Sequence, residues 1–108
     1  MRDFVHVHDV ARANLLAIDQ VGGGPAGSWA AYNVCSGEPV PILEVAERLA
    51  AASDGPAPVV TGDYRPGDVR HVVASPELAT AELGFTAAIS PEQGIAEFAT
   101  DPLRPSAS

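Results

Sequence analysis

The stretch MRDFVHVHDVARANLL, residues 1–16, decides the reading of the fold. Phe4-Val5-His6-Val7 is a β-prone run, so Asp3 to Val7 reads as a short strand. Asp9 follows, and a carboxylate there suits a helix start because it can accept a free backbone N–H. In the helix expected next, Val10, Ala13, Ala17 and Val21 form one apolar face, and Ala11, Leu15 and Ile18 form a second. A helix apolar on two sides needs cover from two directions. The stretch therefore reads as the middle of a packed arrangement, and it raises the question whether this is the true start of a protein or the later part of a longer one.

Working outward, Gly22-Gly23-Gly24-Pro25 ends that helix, and Trp29 to Val34 reads as a second strand closed by Ser36-Gly37. A helix is predicted over Pro41 to Ala52, with Pro41 at its first position and Ile42, Val45, Ala46, Leu49 and Ala50 on its buried face. Pro58 to Thr61 and His71 to Ala74 read as two more short strands, flanking the polar loop GDYRPGDVR at 62–70. Ser75-Pro76 opens a short helix that Gly84 ends. Ser90-Pro91-Glu92-Gln93 fits a capping box, and the helix behind it runs to about Thr100, burying Ile95, Phe98 and Ala99. Four short strands interleaved with four helices make the expected class α/β, or an α+β-like piece of such a fold. The expected organisation is one unit over 1–100 and a flexible tail over 101–108. The strands are too few for a complete doubly wound sheet, and GGGP follows no strand and precedes no helix, so the dinucleotide-binding reading fails on context.

Composition narrows the function classes. The chain has 108 residues, 46% of them apolar, with six basic residues against fourteen acidic ones and a formal charge of −8. Such a surface repels phosphate backbones and anionic membranes, so neither a nucleic acid nor a membrane is an expected partner. No apolar run approaches the length of a membrane span and no hydrophobic signal core is present, which makes the cytoplasm the expected compartment. The single Cys35 can form no intrachain disulfide and fits that compartment.

Three groups of residues could carry chemistry. His6 and His8 alternate on the expected strand, next to Asp9, and could ligate a metal, but they lack a matching ligand set, and packing with a helix cap explains them as well. Cys35 reads as a buried thiol rather than a nucleophile. In RPGDVR, Pro66-Gly67 forces a turn from which Arg65 and Asp68 emerge on either side. An Arg and an Asp so held can bind a phosphate and a ribose hydroxyl, or simply pair with each other in solvent. Arg2, Arg65 and Arg70 all fall next to expected strand ends, where ligands bind in α/β proteins.

Three segments together resemble the extended short-chain dehydrogenase/reductase family. RDFVHVHDVARANLLA is similar to its R-D-[FWY]-[VIL]-[YH]-V-x-D-[VL]-A segment. YNVCSGEPVPILEVAERL resembles its N-[VI]-G-[ST]-G strand–helix unit, and RPGDVRHVVASPELATAELGF resembles its R-x-G-D segment. Order and spacing also match, over residues 2 to about 99. The members concerned are NAD-dependent nucleotide-sugar epimerases and dehydratases of the UDP-glucose 4-epimerase type. The resemblance implies the C-terminal, substrate-binding portion of such an enzyme, with most of the Rossmann core, the NAD site and the catalytic Tyr-x-x-x-Lys lying outside these residues; the chain contains no lysine. It implies that Arg2 and Arg65 contact the diphosphate of a UDP- or dTDP-sugar, that Asp68 accepts a hydrogen bond from the ribose, and that Asp9 is a structural helix cap. No catalytic, cofactor-binding or metal-binding residue is expected within the chain, and a homodimer is a possible assembly. His8, Cys35, Pro41 and Ser75 depart from the family pattern away from the expected nucleotide contacts. The competing reading is a stand-alone, non-catalytic module that binds a nucleotide or a protein through the same surface.

Overall fold

The computed structural model describes residues 1–103 and Pro105, so all but four residues of the expected tail from 101 are covered. Four helices form the framework: α1 (Val7–Gly22), α2 (Ile42–Ala52), α3 (Glu77–Leu83) and α4 (Pro91–Thr100). The described residues contain no β-strand, only two isolated bridges, so the α/β expectation with its four short strands does not hold. The reason lies in the partners. Arg2 bridges Val40 in antiparallel sense and Val72 in parallel sense, which brings three segments distant in sequence together at one residue. The Arg2 and Val40 amides exchange bonds at 3.0 and 2.8 Å, and the Val72 amide donates to the Met1 carbonyl at 3.1 Å. No ladder extends from these contacts. A β-prone run becomes a strand only when a neighbour satisfies its main chain.

The helix boundaries follow local signals with revisions: Pro41 and Pro76 are the N-cap residues of α2 and α3 rather than their first helical positions, and neither gives a side-chain cap bond. His6, not Asp9, caps α1: its backbone is extended and its imidazole accepts the His8 amide. Ser90 caps α4 as expected, its Oγ accepting the Gln93 N–H at 3.2 Å. The reciprocal half of the expected capping box is absent, because the Gln93 amide donates instead to Glu97 at 3.1 Å. Gly84 ends α3 in the left-handed region at φ 67°, where an L side chain is strained.

Packing is thin. α1 lies along α3 and α2 along α4. The core joins Ala13 of α1 to Ala79 and Leu83 of α3 and to Phe85, with Leu16, Ala17, Tyr32 and Val34 closing round it. Of the two apolar faces of α1, the one bearing Ala13 and Ala17 packs inward; Leu15 and Ile18 on the other are 64% and 66% exposed. α2 buries nothing completely, and Phe98, expected inside, is 71% exposed. The radius of gyration is 17.3 Å, against about 13 Å for a compact chain of this length. The accessible surface is 8234 Å², where a compact fold of this mass exposes roughly 5,700 Å². Much apolar surface thus stays in water.

Candidate functional site

The three sequence-predicted site residues lie on or against the loop 65–70. The turn Arg65-Pro66-Gly67-Asp68 is closed by the Asp68 N–H donating to the Arg65 carbonyl at 3.1 Å. Gly67 sits at φ 90°, which the third position of a type II turn requires. The Arg65 Nε donates to Asp68 Oδ2 at 3.2 Å, and both side chains are largely in water. These two residues therefore pair with each other. Such an exposed pair contributes little to stability, so both groups can be recruited by a ligand at low cost.

Arg2 reaches the same loop from the other end of the sequence. Its Nη2 donates to the Val69 carbonyl at 2.7 Å, and its Nη1 donates to the carbonyls of Arg70 at 3.1 Å and Met1 at 2.9 Å. The bridge to Val72 holds its main chain beside the strand-like run that follows the loop. Three of the five guanidinium N–H groups are thus used on carbonyls, and two remain. No hydrogen bond among the described residues joins Arg2 to Arg65 or Asp68.

Two carboxylates that sequence patterns undervalue organise this region. Asp3 accepts from the Ser36 N–H and hydroxyl, both at 2.6 Å, and from the Gly37 N–H at 2.9 Å. It thereby fixes the run that carries Arg2 against the Ser36-Gly37 turn, where Gly37 takes φ 79°. Asp9 is 2% exposed. It accepts from the amides of Ala88 and Ile89 and from the Arg12 guanidinium, at 2.9–3.1 Å. Burial pushes its carboxyl up, but the Arg12 hydrogen bond, the Ile89 and Ala88 amides and the Arg12 charge outweigh that and hold it below the ordinary aspartate value. Arg12 in turn lies over the Phe85 ring at 5.1 Å and donates to the Thr86 carbonyl. Asp9 is structural as expected, but it ties α1 to the 85–89 loop rather than capping the helix. The spacing of Asp9 to Arg12, one turn along α1, signals their pairing and nothing of the loop.

The other candidates fall elsewhere. His6 and His8 do not alternate on a strand: His6 caps α1 and His8 lies in its first turn, the two rings meeting edge to face at 4.8 Å. His6 Nε2 lies 3.2 Å from Glu97 of α4. Cys35 is 4% exposed and its thiol points at the Ala74 carbonyl; burial, then the Asp3 charge, push it up from the ordinary thiol value, against a smaller opposing pull from the Gly37 amide. A cavity of about 660 Å³ opens between the run Phe4–His8, α2 and α4, walled largely by apolar side chains such as Phe4, Val45, Leu49 and Ile95. None of Arg2, Arg65 and Asp68 lines it. No helix among the described residues is long and apolar enough to cross a membrane.

The chain is homologous to the nucleotide-sugar 4-epimerases. A UDP-glucose 4-epimerase of Pasteurella multocida is 36% identical over 93 residues, 86% of this chain and 27% of that protein. UDP-glucose 4-epimerase 3 of Oryza sativa subsp. japonica is 34% identical over 87 residues, 81% of this chain and 23% of that protein. A dTDP-L-rhamnose 4-epimerase of Burkholderia thailandensis is 34% identical over 99 residues, 92% of this chain and 26% of that protein. The chain thus spans about a quarter of the length of the curated relatives it matches. No family model matches it.

Proposed function

We propose that this chain is the nucleotide-sugar-binding part, from the C-terminal region, of an NAD-dependent epimerase or dehydratase. Arg2 and Arg65 clasp the diphosphate of a UDP- or dTDP-sugar, and Asp68 accepts a hydrogen bond from the ribose. The observation that carries this reading is the Arg2 guanidinium on the Val69 carbonyl, 67 positions away and next to Asp68. It supports a shared site, since one loop then bears all three groups. Two Arg forks on one diphosphate give both affinity and orientation. Binding requires the Arg65–Asp68 pair to open, each partner exchanging the other for a ligand group.

NAD supplies the hydride chemistry of such an enzyme. The residues of this chain do not form a cradle for it: the glycines at 22–24 end α1, no helix follows before Ile42, and there is no lysine to partner a catalytic tyrosine. No step of that chemistry is therefore assigned to this chain; its part is to hold the nucleotide so that the sugar meets the cofactor elsewhere. The large exposed surface and the uncovered face of α1 support a role inside a larger enzyme over the alternative of a self-sufficient binding module.

The test is isothermal titration of UDP and dTDP into the 108-residue chain and into an Arg65→Ala variant. Millimolar or tighter binding that weakens about tenfold or more in the variant is expected. Equal binding by both proteins would overturn the assignment of Arg65. The purified chain alone should turn over neither sugar nucleotide with added NAD.

A further inference from the structure

The capping residue of α1 is an imidazole, and its two nitrogens have opposite duties. Nδ1 accepts the His8 N–H at 3.2 Å, one of the donors a helix start leaves without an intrahelical partner. Nε2 faces the Glu97 carboxylate at 3.2 Å, an acceptor. Only one neutral tautomer satisfies both, with the proton on Nε2 and the lone pair on Nδ1. The setting holds the ring in place. His6 is 14% exposed in its side chain, and Gly94 of α4 lies so close that a Cβ there would meet its Cδ2 at 3.2 Å. Glu97 is steadied from its other oxygen by the Gln93 amide at 3.1 Å.

We propose that His6 is a proton-operated latch at the N-terminus of α1. Neutral, it caps the helix; protonated, it cannot accept at Nδ1, releases the His8 amide, and becomes a cation paired with Glu97 of α4. The proton ends on Nδ1, and nothing else changes in the covalent structure. The groups round the ring favour the exchange from one side and oppose it from the other. From α4, Glu97 and Asp101 line the same cavity and attract a cation. From α1, the His8 ring at 4.8 Å and the positive end of the helix oppose one, while Asp9 is already committed to Arg12 and the Ala88 and Ile89 amides. From α2, Val45 and Leu49 face the cavity and carry no charge. The net effect is a shift of hold: at high pH the ring both caps α1 and reaches α4, and at low pH it gives up the cap and keeps a charged tie to α4. The run that carries Arg2 enters α1 through His6, so the latch acts on the joint between that run and the helix.

The experiment is NMR of the full 108-residue chain. The imidazole nitrogen shifts of His6 above its titration should report the proton on Nε2. On acidification over the pH range in which the His6 nitrogen shifts report protonation, the protection factor of the His8 amide, corrected for intrinsic exchange, should fall roughly fivefold, the loss expected for a helix cap. In His6→Asn, whose amide caps at any pH, the His8 amide should keep its protection across the same range. A proton on Nδ1 in the neutral state would overturn the proposal. So would a His8 amide whose protection ignores His6 protonation, or a His6→Asn chain that keeps the same pH dependence.

Discussion

Replacing Asp9 by alanine should cost far more than its single charge suggests. The carboxylate serves the amides of Ala88 and Ile89, in a site 2% exposed. Without it two backbone donors lose their partner, at about 1–3 kcal/mol each. Arg12 loses less, because 41% of its side chain already meets water. Ala88 is exposed and Ile89 half-buried, so water takes up part of each loss and the total stays in the lower part of that range, about 2–4 kcal/mol. With a urea dependence of roughly 1.5 kcal/mol per molar, the unfolding midpoint should fall by about 2 M, or the variant should be unfolded without denaturant. Acid unfolding provides a second axis. The folded carboxyl binds its proton less readily than the unfolded one, so its contribution is complete above the unfolded value near pH 4 and is lost as pH falls through the folded value. The wild type should therefore lose stability below about pH 4, and Asp9→Ala should lack that share of the slope. A midpoint shift under about 0.5 M, with an unchanged acid profile, would refute the view that Asp9 joins α1 to the 85–89 loop.

Gly84→Ala should destabilise the chain by about 1 kcal/mol, read from urea unfolding, because φ 67° suits glycine alone and open space offers no compensating contact. Cys35 should react with iodoacetamide at pH 8 at least about tenfold more slowly than a free thiol, since burial both hides it and raises its pKa. Light scattering over a dilution series should reveal association at high concentration, driven by Val7, Ala11, Leu15 and Ile18 along the open face of α1; a monomer at every concentration, with cooperative unfolding at high temperature, would show a self-sufficient domain.

Signals confined to one turn of chain were legible. The Ser90 cap, the Gly84 stop and the Pro66-Gly67 turn each need only neighbours within a few residues, and each stands as read. The strands were not legible in the same way. Phe4 to Val7, Trp29 to Val34 and the Val59-Val60 and Val72-Val73 runs have strand composition, but a strand is a relation between two segments, and composition does not state whether the second is present. Asp9 shows the same limit at one residue. Local rules give it the nearest vacant amides, whereas its partners lie 79 and 80 positions away. The kinship with epimerases was legible because it rests on three segments in order, which requires no knowledge of their packing. The nucleotide contacts stay an inference from those segments, since Arg2 and Arg65 share a loop without touching.

The first nine residues also set a clock. Their bonds reach Ser36, Val40, Val69, Arg70, Val72, Ala88 and Ile89, so almost every partner they need is made later. At about 5–20 residues per second, a ribosome releases Asp9 roughly 4–16 seconds before it completes the loop that receives it. During that interval Phe4, Val5 and Val7 travel with no helix α4 to meet, exposed to whatever binds nascent apolar chain. Contacts of such long sequence separation also form slowly once the chain is complete. The segment that anchors Arg2 is therefore made before the partners that secure it.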